Sequence, residues 1–308
     1  MTQIVDGVND TGVHDALGRL RRFNRLLTRR IGLVADRYLG SPLSFAQARL
    51  LYEVALLAPL ATHHLRRLVA IDAAALSRGL AALEGRHLIR RHVDPGNRRN
   101  RIVDVTAGGR RLLATLDRRA DARVGSMIAG LAARDRRGLL DAIDQARRLL
   151  MGAVLRIERR GDDDADVRAA QAAYLAEIAR RFGRPLDLWN QGSLTPARPL
   201  LVVDAGRPVG CGVLRDLAPG IGEIKRMWLH PDARGLGVGT RLLAALESAA
   251  RHAGHHAIRL DTNERLREAI ALYESAGYRR IARYNDNPDA TRFYAKSLRG
   301  GGRQRAAS

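Results

Sequence analysis

The sequence predicts two folded units of different class, a mainly α-helical first half and an α/β second half. Three observations carry this reading. Before residue 160, apolar residues recur at spacings of three and four, the period of one helix face. Beyond it, short alternating runs are interleaved with amphipathic ones. Between the two, "ERRGDDDAD" is a charge-dense stretch with nothing to bury. The division assigns 1–160 to the first unit, 161–298 to the second and 299–308 to a loose tail.

In chain order, Leu17, Leu20, Phe23, Leu27, Ile31 and Val34 line one long first helix, about 14–38. Pro42 breaks the chain, and Ser44 is placed to cap a second helix, "FAQARLLYEVALLA", ending near Pro59. "THHLRRLVAI" and "DAAALSRGLAALEGRHLI" follow as a helix, short turn and helix, with Thr62 and Asp72 as caps. Alternation at 89–93 and 102–105 around "DPGN" predicts a hairpin, and helices over about 107–127 and 131–157 close the unit. The second unit reads as helix "DVRAAQAAYLAEIARRF", a hairpin turning at 204–208, and strand "GEIKRMWLHP". After that come a helix to about His252, strand "AIRLDTN", helix "REAIALYESAG", strand "YRRIARY" and strand "TRFYAKSL".

At 308 residues and 46% hydrophobic, the chain can bury a sizeable core, which excludes wholesale disorder. Its formal charge of +21 is almost all arginine, with Lys225 and Lys296 the only lysines. An Arg- and Ala-rich chain can reflect genome composition alone, so distribution matters more than total. Residues 1–160 hold 30 arginines against 15 acidic residues, while 161–308 hold 23 basic against 17 acidic. The excess in the first half points to a polyanionic partner for that half. The single cysteine, Cys211, excludes an internal disulfide and reads as packing in a reducing compartment. No apolar signal core opens the chain and no run approaches the ~20 apolar residues of a membrane span, so the expectation is a cytoplasmic protein with no membrane partner.

A helix-turn-helix sets the start of its second helix in the major groove, and a following hairpin can lay cations along the backbone. Ser77 and Arg78 are the polar residues of "AAALSRGLAAL", and Arg98, Arg99 and Arg101 flank Asn97 and Asn100 on the hairpin. The stretch "DPGNRRNRIVDVTAGGR" resembles the wing motif of the MarR family of winged-helix regulators, D-P-x-D-x-R-x-x-x-V-x-L-T-x-x-G-R, and the resemblance covers about 14–157. It implies a mainly α winged helix-turn-helix that binds double-stranded DNA at a pseudo-palindromic operator. Asp94 would orient the wing, Arg98 and Arg99 would meet the backbone, and Ser77 and Arg78 would approach bases. Helices 14–38 and 131–157 would form a homodimer. A winged helix serving protein contact, with solvated arginines, is the alternative.

"HPDARGLGVGTRLLAALESAA" sets Gly235, Gly237 and Gly239 at alternate positions before a helix. The spacing differs from a dinucleotide fingerprint, and the Lys-Ser/Thr pair of a P-loop is missing. Backbone N–H groups from Leu236 to Thr240, converging at a helix start, still suit a pyrophosphate. Arg234 either adds charge there or fixes the loop. With strand "EIKRMWLHP" before it and "LDTN" and "AIALYESAGY" after it, the loop resembles the acetyl-CoA motif of the GNAT acyltransferases, R/Q-x-x-G-x-G/A, over about 165–298.

That resemblance implies an α/β (α+β) GNAT fold with a mixed, largely antiparallel central sheet, acetyl-CoA as cofactor and an amine acceptor. It implies that Met227, Trp228 and Leu229 hold the pantetheine arm, with the Leu229 N–H as oxyanion donor. Arg234, Gly235, Leu236, Gly237, Val238, Gly239 and Thr240 would hold the phosphates. Tyr273 matches the family tyrosine that protonates the thiolate; packing beside Ala269, Leu272 and Ala276 is its other reading. Strand alternation would point Glu223 into the acceptor cleft as a proton acceptor, or leave it to a salt bridge. Asn263 would bond the pantetheine amides or cap the next helix. Tyr174, Glu177, 189–195 and 285–287 are candidates for the acceptor wall. His255-His256 has no ligand partners at metal spacing, so no metal is assigned.

Overall fold

A computed structural model describes residues 10–31, 37–94, 97–183, 194 and 197–298. The tail at 299–308 lies outside them. The first half runs α1 (Asp10–Arg30), a 3-10 turn at Tyr38–Gly40, α2 (Phe45–Leu57), β1 (Leu60–Ala61), α3 (Thr62–Val69) and α4 (Ala73–Gly85). It continues through β2 (Ile89–Asp94), β3 (Asn97–Val105), α5 (Ala107–Ile128) and α6 (Ala133–Val154). Ser44 caps α2 in a capping box with Gln47, and Asp72 caps α4 by accepting from the Ala75 N–H. Thr62 caps nothing: the N-cap of α3 is Ala61, and the Thr62 hydroxyl donates to the Arg101 carbonyl at 2.9 Å. That bond fastens α3 to β3. The hairpin has a third strand that alternation did not predict, because β1 is only two residues long; the order is β1-β3-β2.

The second half is a seven-stranded sheet in the order β4-β5-β6-β7-β8-β10-β9. Its elements are β4 (Leu155–Arg159), α7 (Ala165–Phe182), β5 (Ala197–Asp204), β6 (Arg207–Ala218), β7 (Ile221–Leu229), α8 (Val238–His252), β8 (Ala257–Thr262), α9 (Arg267–Ser275), β9 (Arg279–Arg280) and β10 (Arg292–Ser297). Only β7 and β8 pair in parallel, so the sheet is mixed and largely antiparallel, as expected. Three boundaries differ from the reading above. The sixth helix stops at Val154, since 155–159 find an edge partner in β5, and so the sheet begins before the charged break. The strand expected at "YRRIARY" shrinks to two residues. The first helix ends at Arg30, and 32–36 lie outside the described residues.

The two halves are docked. One buried cluster joins Leu51, Leu65, Leu68 and Leu80 of the first half to Val167, Ala169, Ala170, Ala173, Leu201, Cys211 and Trp228 of the second. Helix α7 stands between them, packed on α3 and on the sheet. Polar contacts reinforce the seam: Arg67 pairs with Asp166 at 2.8 Å, and Arg180 donates to the Ala55 carbonyl at 2.9 Å and to that of Leu56. A second cluster, built on Leu242, Leu243, Leu246 and Ala250 of α8, fills the sheet's other face. By contrast, α1 exposes Leu17, Leu20, Phe23 and Leu26, and α6 exposes Leu139, Leu140, Ile143, Leu149, Leu150 and Val154. Among the described residues no helix is long and apolar enough to cross a membrane.

Candidate active site

Strand β7 creates the cleft. It pairs with β8 only from Ile221 to Ile224, while against β6 a bulge shifts the register between Lys225 and Trp228, with Arg226 at φ 50°. Past Ile224 the two strands therefore diverge, and α7 and α9 cover the opening. The His230 N–H donates to the Val209 carbonyl at 2.8 Å, which makes Leu229–Gly210 a non-hydrogen-bonded pair. Alternation then turns the Leu229 N–H away from β6, to the open side.

Two adjoining cavities fill the opening. Met227, Trp228, Leu229, Arg234, Gly239, Leu272 and Tyr273 line the one beside the glycine loop. Lys225, Arg226, Asp261, Asn287, Asp289 and Tyr273 line the other. Tyr174, Ile178, Met227, Leu266, Ala269 and Tyr273 border both. Tyr273, 6% exposed, thus stands at their junction. Burial, with the Asp261 charge second, raises its phenol well above the ordinary value, so it stays protonated at neutral pH. Among the described residues its hydroxyl makes no hydrogen bond to protein, which leaves the proton for a ligand.

The loop after β7 fits an anion. Gly235 and Gly237 adopt φ of 72° and 74°, a region costly for any residue with a Cβ, and a Cβ at either would meet nothing within 4 Å. Gly237 caps α8 without a side chain, leaving the Val238, Gly239 and Thr240 N–H groups for an external acceptor. Thr240 and Leu236 stand with them at the helix start. Arg234 fixes the loop: its Nε donates to the Leu229 carbonyl at 2.9 Å and its Nη2 to Glu177 at 2.6 Å. Glu177 also accepts from the Trp228 indole at 2.8 Å. Burial pushes the Glu177 carboxyl upward, but Arg234, Trp228 and Arg181 overcome it and hold it below the usual range.

Two expected site residues are placed otherwise. Glu223 is 0% exposed and lies outside both cavity walls; Arg215, the Tyr284 hydroxyl (2.8 Å) and the Asn285 amide (3.2 Å) all donate to it. A carboxylate held so is a salt-bridge centre rather than a base facing the cleft. The Asn263 amide is occupied by the Asp289 carbonyl at 2.6 Å and the Arg265 N–H at 3.0 Å, so it closes a turn and ties the 285–290 loop to β8. It is not the cap of α9, which is Leu266. Asn285 and Asn287 donate to Asp261, whose other oxygen accepts from Lys225 at 2.7 Å. Tyr174 and Glu177 do stand over the cleft, whereas 189–195 lie outside the described residues except for Leu194. Burial pushes the Cys211 thiol up to about 12, in keeping with a packing role. Arg226 was not singled out in the sequence, since a strand bulge has no signature there.

In the first half, Ser77 and Arg78 are exposed on α4, and Arg98, Arg99 and Arg101 on β3. Arg91 of β2 donates to Glu84 of α4 through its N–H and Nε, both at 2.9 Å, locking helix and hairpin together. At the seam, Glu53, His230 and Asp232 converge, with Arg49 and Arg207 on the two carboxylates' side. The two guanidiniums make this an ion-pair cluster. His255 Nε2 lies 2.9 Å from Asp216.

Residues 171–278 match the family model described as the acetyltransferase (GNAT) family. An "IAA acetyltransferase" of Azospirillum brasilense is 43% identical over 82 residues, 26% of this chain and 54% of that protein. The chain spans 54% and 65% of the two curated relatives it matches. A Klebsiella pneumoniae structure described as an acyl-CoA N-acyltransferase is 33% identical, with a TM-score of 0.38, over 47% of this chain and 99% of that one. A mutant MarR from E. coli, complexed with operator DNA, is 20% identical with a TM-score of 0.35, over 45% of this chain and 99% of that one. The second half therefore contains a GNAT domain.

Proposed function

We propose that this chain is a bifunctional cytoplasmic protein. Its GNAT domain transfers acetyl from acetyl-CoA to a primary amine, and its first half is a MarR-type winged helix that binds a pseudo-palindromic DNA operator as a homodimer. The observation that carries the enzymatic half is the splayed β7–β8 cleft, open beside the glycine loop and spanned by Tyr273. When bound, acetyl-CoA supplies a thioester whose acyl carbon accepts the amine. The N–H groups from Val238 to Thr240 hold its phosphates, and the Leu229 N–H stabilises the charge that develops on the acyl oxygen. Tyr273, protonated and bordering both cavities, would supply the proton that the leaving sulfur takes up when the amine's C–N bond replaces the C–S bond. The amine's proton leaves through water, from which the phenolate recovers one.

For the other half, exposed Ser77 and Arg78 would read bases while Arg98, Arg99 and Arg101 contact phosphates. The exposed apolar faces of α1 and α6 support the dimer. A second reading, a regulator that senses acetyl-CoA without turnover, is favoured by the core the halves share. The deciding experiment is a thiol-release screen over amino acids, polyamines, aminoglycosides and peptides, with Tyr273→Phe as control. Release with at least one amine supports the enzyme; tight acetyl-CoA binding without release from any of them supports the sensor.

A further inference from the structure

The acceptor half of the cleft holds one cation that the protein does not neutralise. Arg226 lines that cavity, and its guanidinium has a single recorded partner, the side-chain carbonyl of Gln171 on α7, at 2.6 Å. Its Nε is buried without a partner. Among the described residues no carboxylate lies within ion-pair distance of it. The contrast with its neighbours is sharp. Lys225 is paired with Asp261, Arg215 with Glu223, Arg234 with Glu177 and Arg207 with Glu53. Burial makes the charged form of Arg226 costly, and Tyr174 and Cys211 offset this in part. A half-buried guanidinium whose Nε–H is buried and unused, held at a strand bulge with φ 50°, is a preorganised receptor for an anion. The wall of the same cavity also includes Asp261 and Asp289.

Resting on the acyltransfer reading, we propose that Arg226 binds a carboxylate of the acceptor, so that the substrate is a small amine that also carries a carboxylate. The guanidinium takes the acid end of the molecule. The end lined by Asp261 and Asp289 takes the amine as its ammonium, before it loses a proton and attacks. Tyr273, bordering both cavities, stands where the amine and the thioester meet. Gln171 holds the guanidinium from the α7 side and so fixes its direction.

The test uses matched pairs differing only in the carboxylate: histidine and histamine, tryptophan and tryptamine, tyrosine and tyramine, ornithine and putrescine. With the full-length protein, kcat/KM from thiol release favours the carboxylate-bearing member of at least one pair by roughly tenfold to hundredfold. Arg226→Gln abolishes the preference and Arg226→Lys retains part of it, while both variants keep their affinity for CoA, which shows that they are folded. Equal or better use of the decarboxylated amines by the wild type, or a preference that survives Arg226→Gln, overturns the proposal. If no amine releases thiol, the acyltransfer reading fails, and calorimetric titration of the same pairs into the CoA-loaded protein decides for Arg226. Binding of a carboxylate member to the wild type but not to Arg226→Gln supports the site; no binding by any of them overturns it.

Discussion

The arginines of this chain lie in two contrasting settings. On the β2–β3 hairpin, Arg98, Arg99 and Arg101 stand exposed, with the hairpin tied to α4 through Glu84 and Arg91. In the seam and the second half, Arg207, Arg215 and Arg234 are half-buried, each bound to an acid and, for Arg207 and Arg234, to a main-chain carbonyl as well. The difference follows from solvation. An exposed guanidinium keeps its hydration and needs no ion pair to offset desolvation, whereas a buried one must be paired or its charge costs stability. Removing acids should therefore damage the second setting, and removing bases should affect function alone in the first.

The largest expected effect is at Glu53. It is 5% exposed and faces His230 at 3.3 Å, Arg207 at 3.6 Å and Arg49 at 2.7 Å. Glu53→Ala would strand Arg207 and His230 in the seam at a cost of about 3 kcal/mol, read by urea unfolding. Arg198→Ala, which breaks the exposed pair with Asp216, should stay within about 0.5 kcal/mol. Equal costs for the two would erase the contrast. Burial works to raise the Glu53 carboxyl, but His230, Arg207 and Arg49 together hold it below its ordinary 4.5. A depressed native pKa makes the stabilisation complete above about 4.5 and progressively lost as pH falls below it. The gap between wild type and Glu53→Ala should accordingly narrow in acid.

Next in size is Tyr273→Phe. The proposed role of the phenol would depend on the same burial that forces pairing elsewhere, because desolvation keeps its proton in place at neutral pH. The variant should lose about 100-fold in kcat with little change in CoA affinity. A kcat within threefold of wild type would return Tyr273 to packing against Tyr278 and Tyr294, whose rings lie 6.0 and 6.4 Å away.

What could be read in the sequence divides along the same line. Ser44 and Asp72 were legible as caps, the turn at 204–208 as a hairpin and Gly235–Gly239 as a glycine turn at a helix start, because each acts through neighbours in the chain. Features that depend on distant partners were not. Strand β4 is short and followed by charge, and only the β5 edge makes it a strand. Glu223 has the alternation of a cleft residue, yet Arg215, Tyr284 and Asn285 claim its carboxylate from three other segments. Arg226 is one strand arginine among 51 until the bulge turns it into the cavity.

A smaller effect is expected at Gly237. At φ 74°, Gly237→Ala should cost about 1–2 kcal/mol in backbone strain, although a Cβ there has open space. Because Gly237 caps α8, the strain falls on the N–H groups proposed to hold the phosphates, and CoA affinity should drop by about tenfold, measured by calorimetry. Gly254→Ala, at φ 84° beyond the far end of α8, carries similar strain and should leave CoA affinity intact.

The smallest effect on the folded protein, and the one that isolates the wing, is at Arg98 and Arg99. Each exposed arginine that meets a phosphate releases about one counterion, so each Arg→Ala change should reduce the slope of log K against log salt by roughly one. Unfolding free energy should move by no more than about 0.5 kcal/mol. Duplexes selected from a random pool by the wild-type protein give the readout, because both variants should weaken binding evenly across the selected sequences. Ser77→Ala, on α4, should instead alter which sequences are selected while leaving the salt slope unchanged. If the wing changes altered sequence choice and the α4 change altered only the slope, the assignment of phosphate contact to one element and base contact to the other would have to be exchanged.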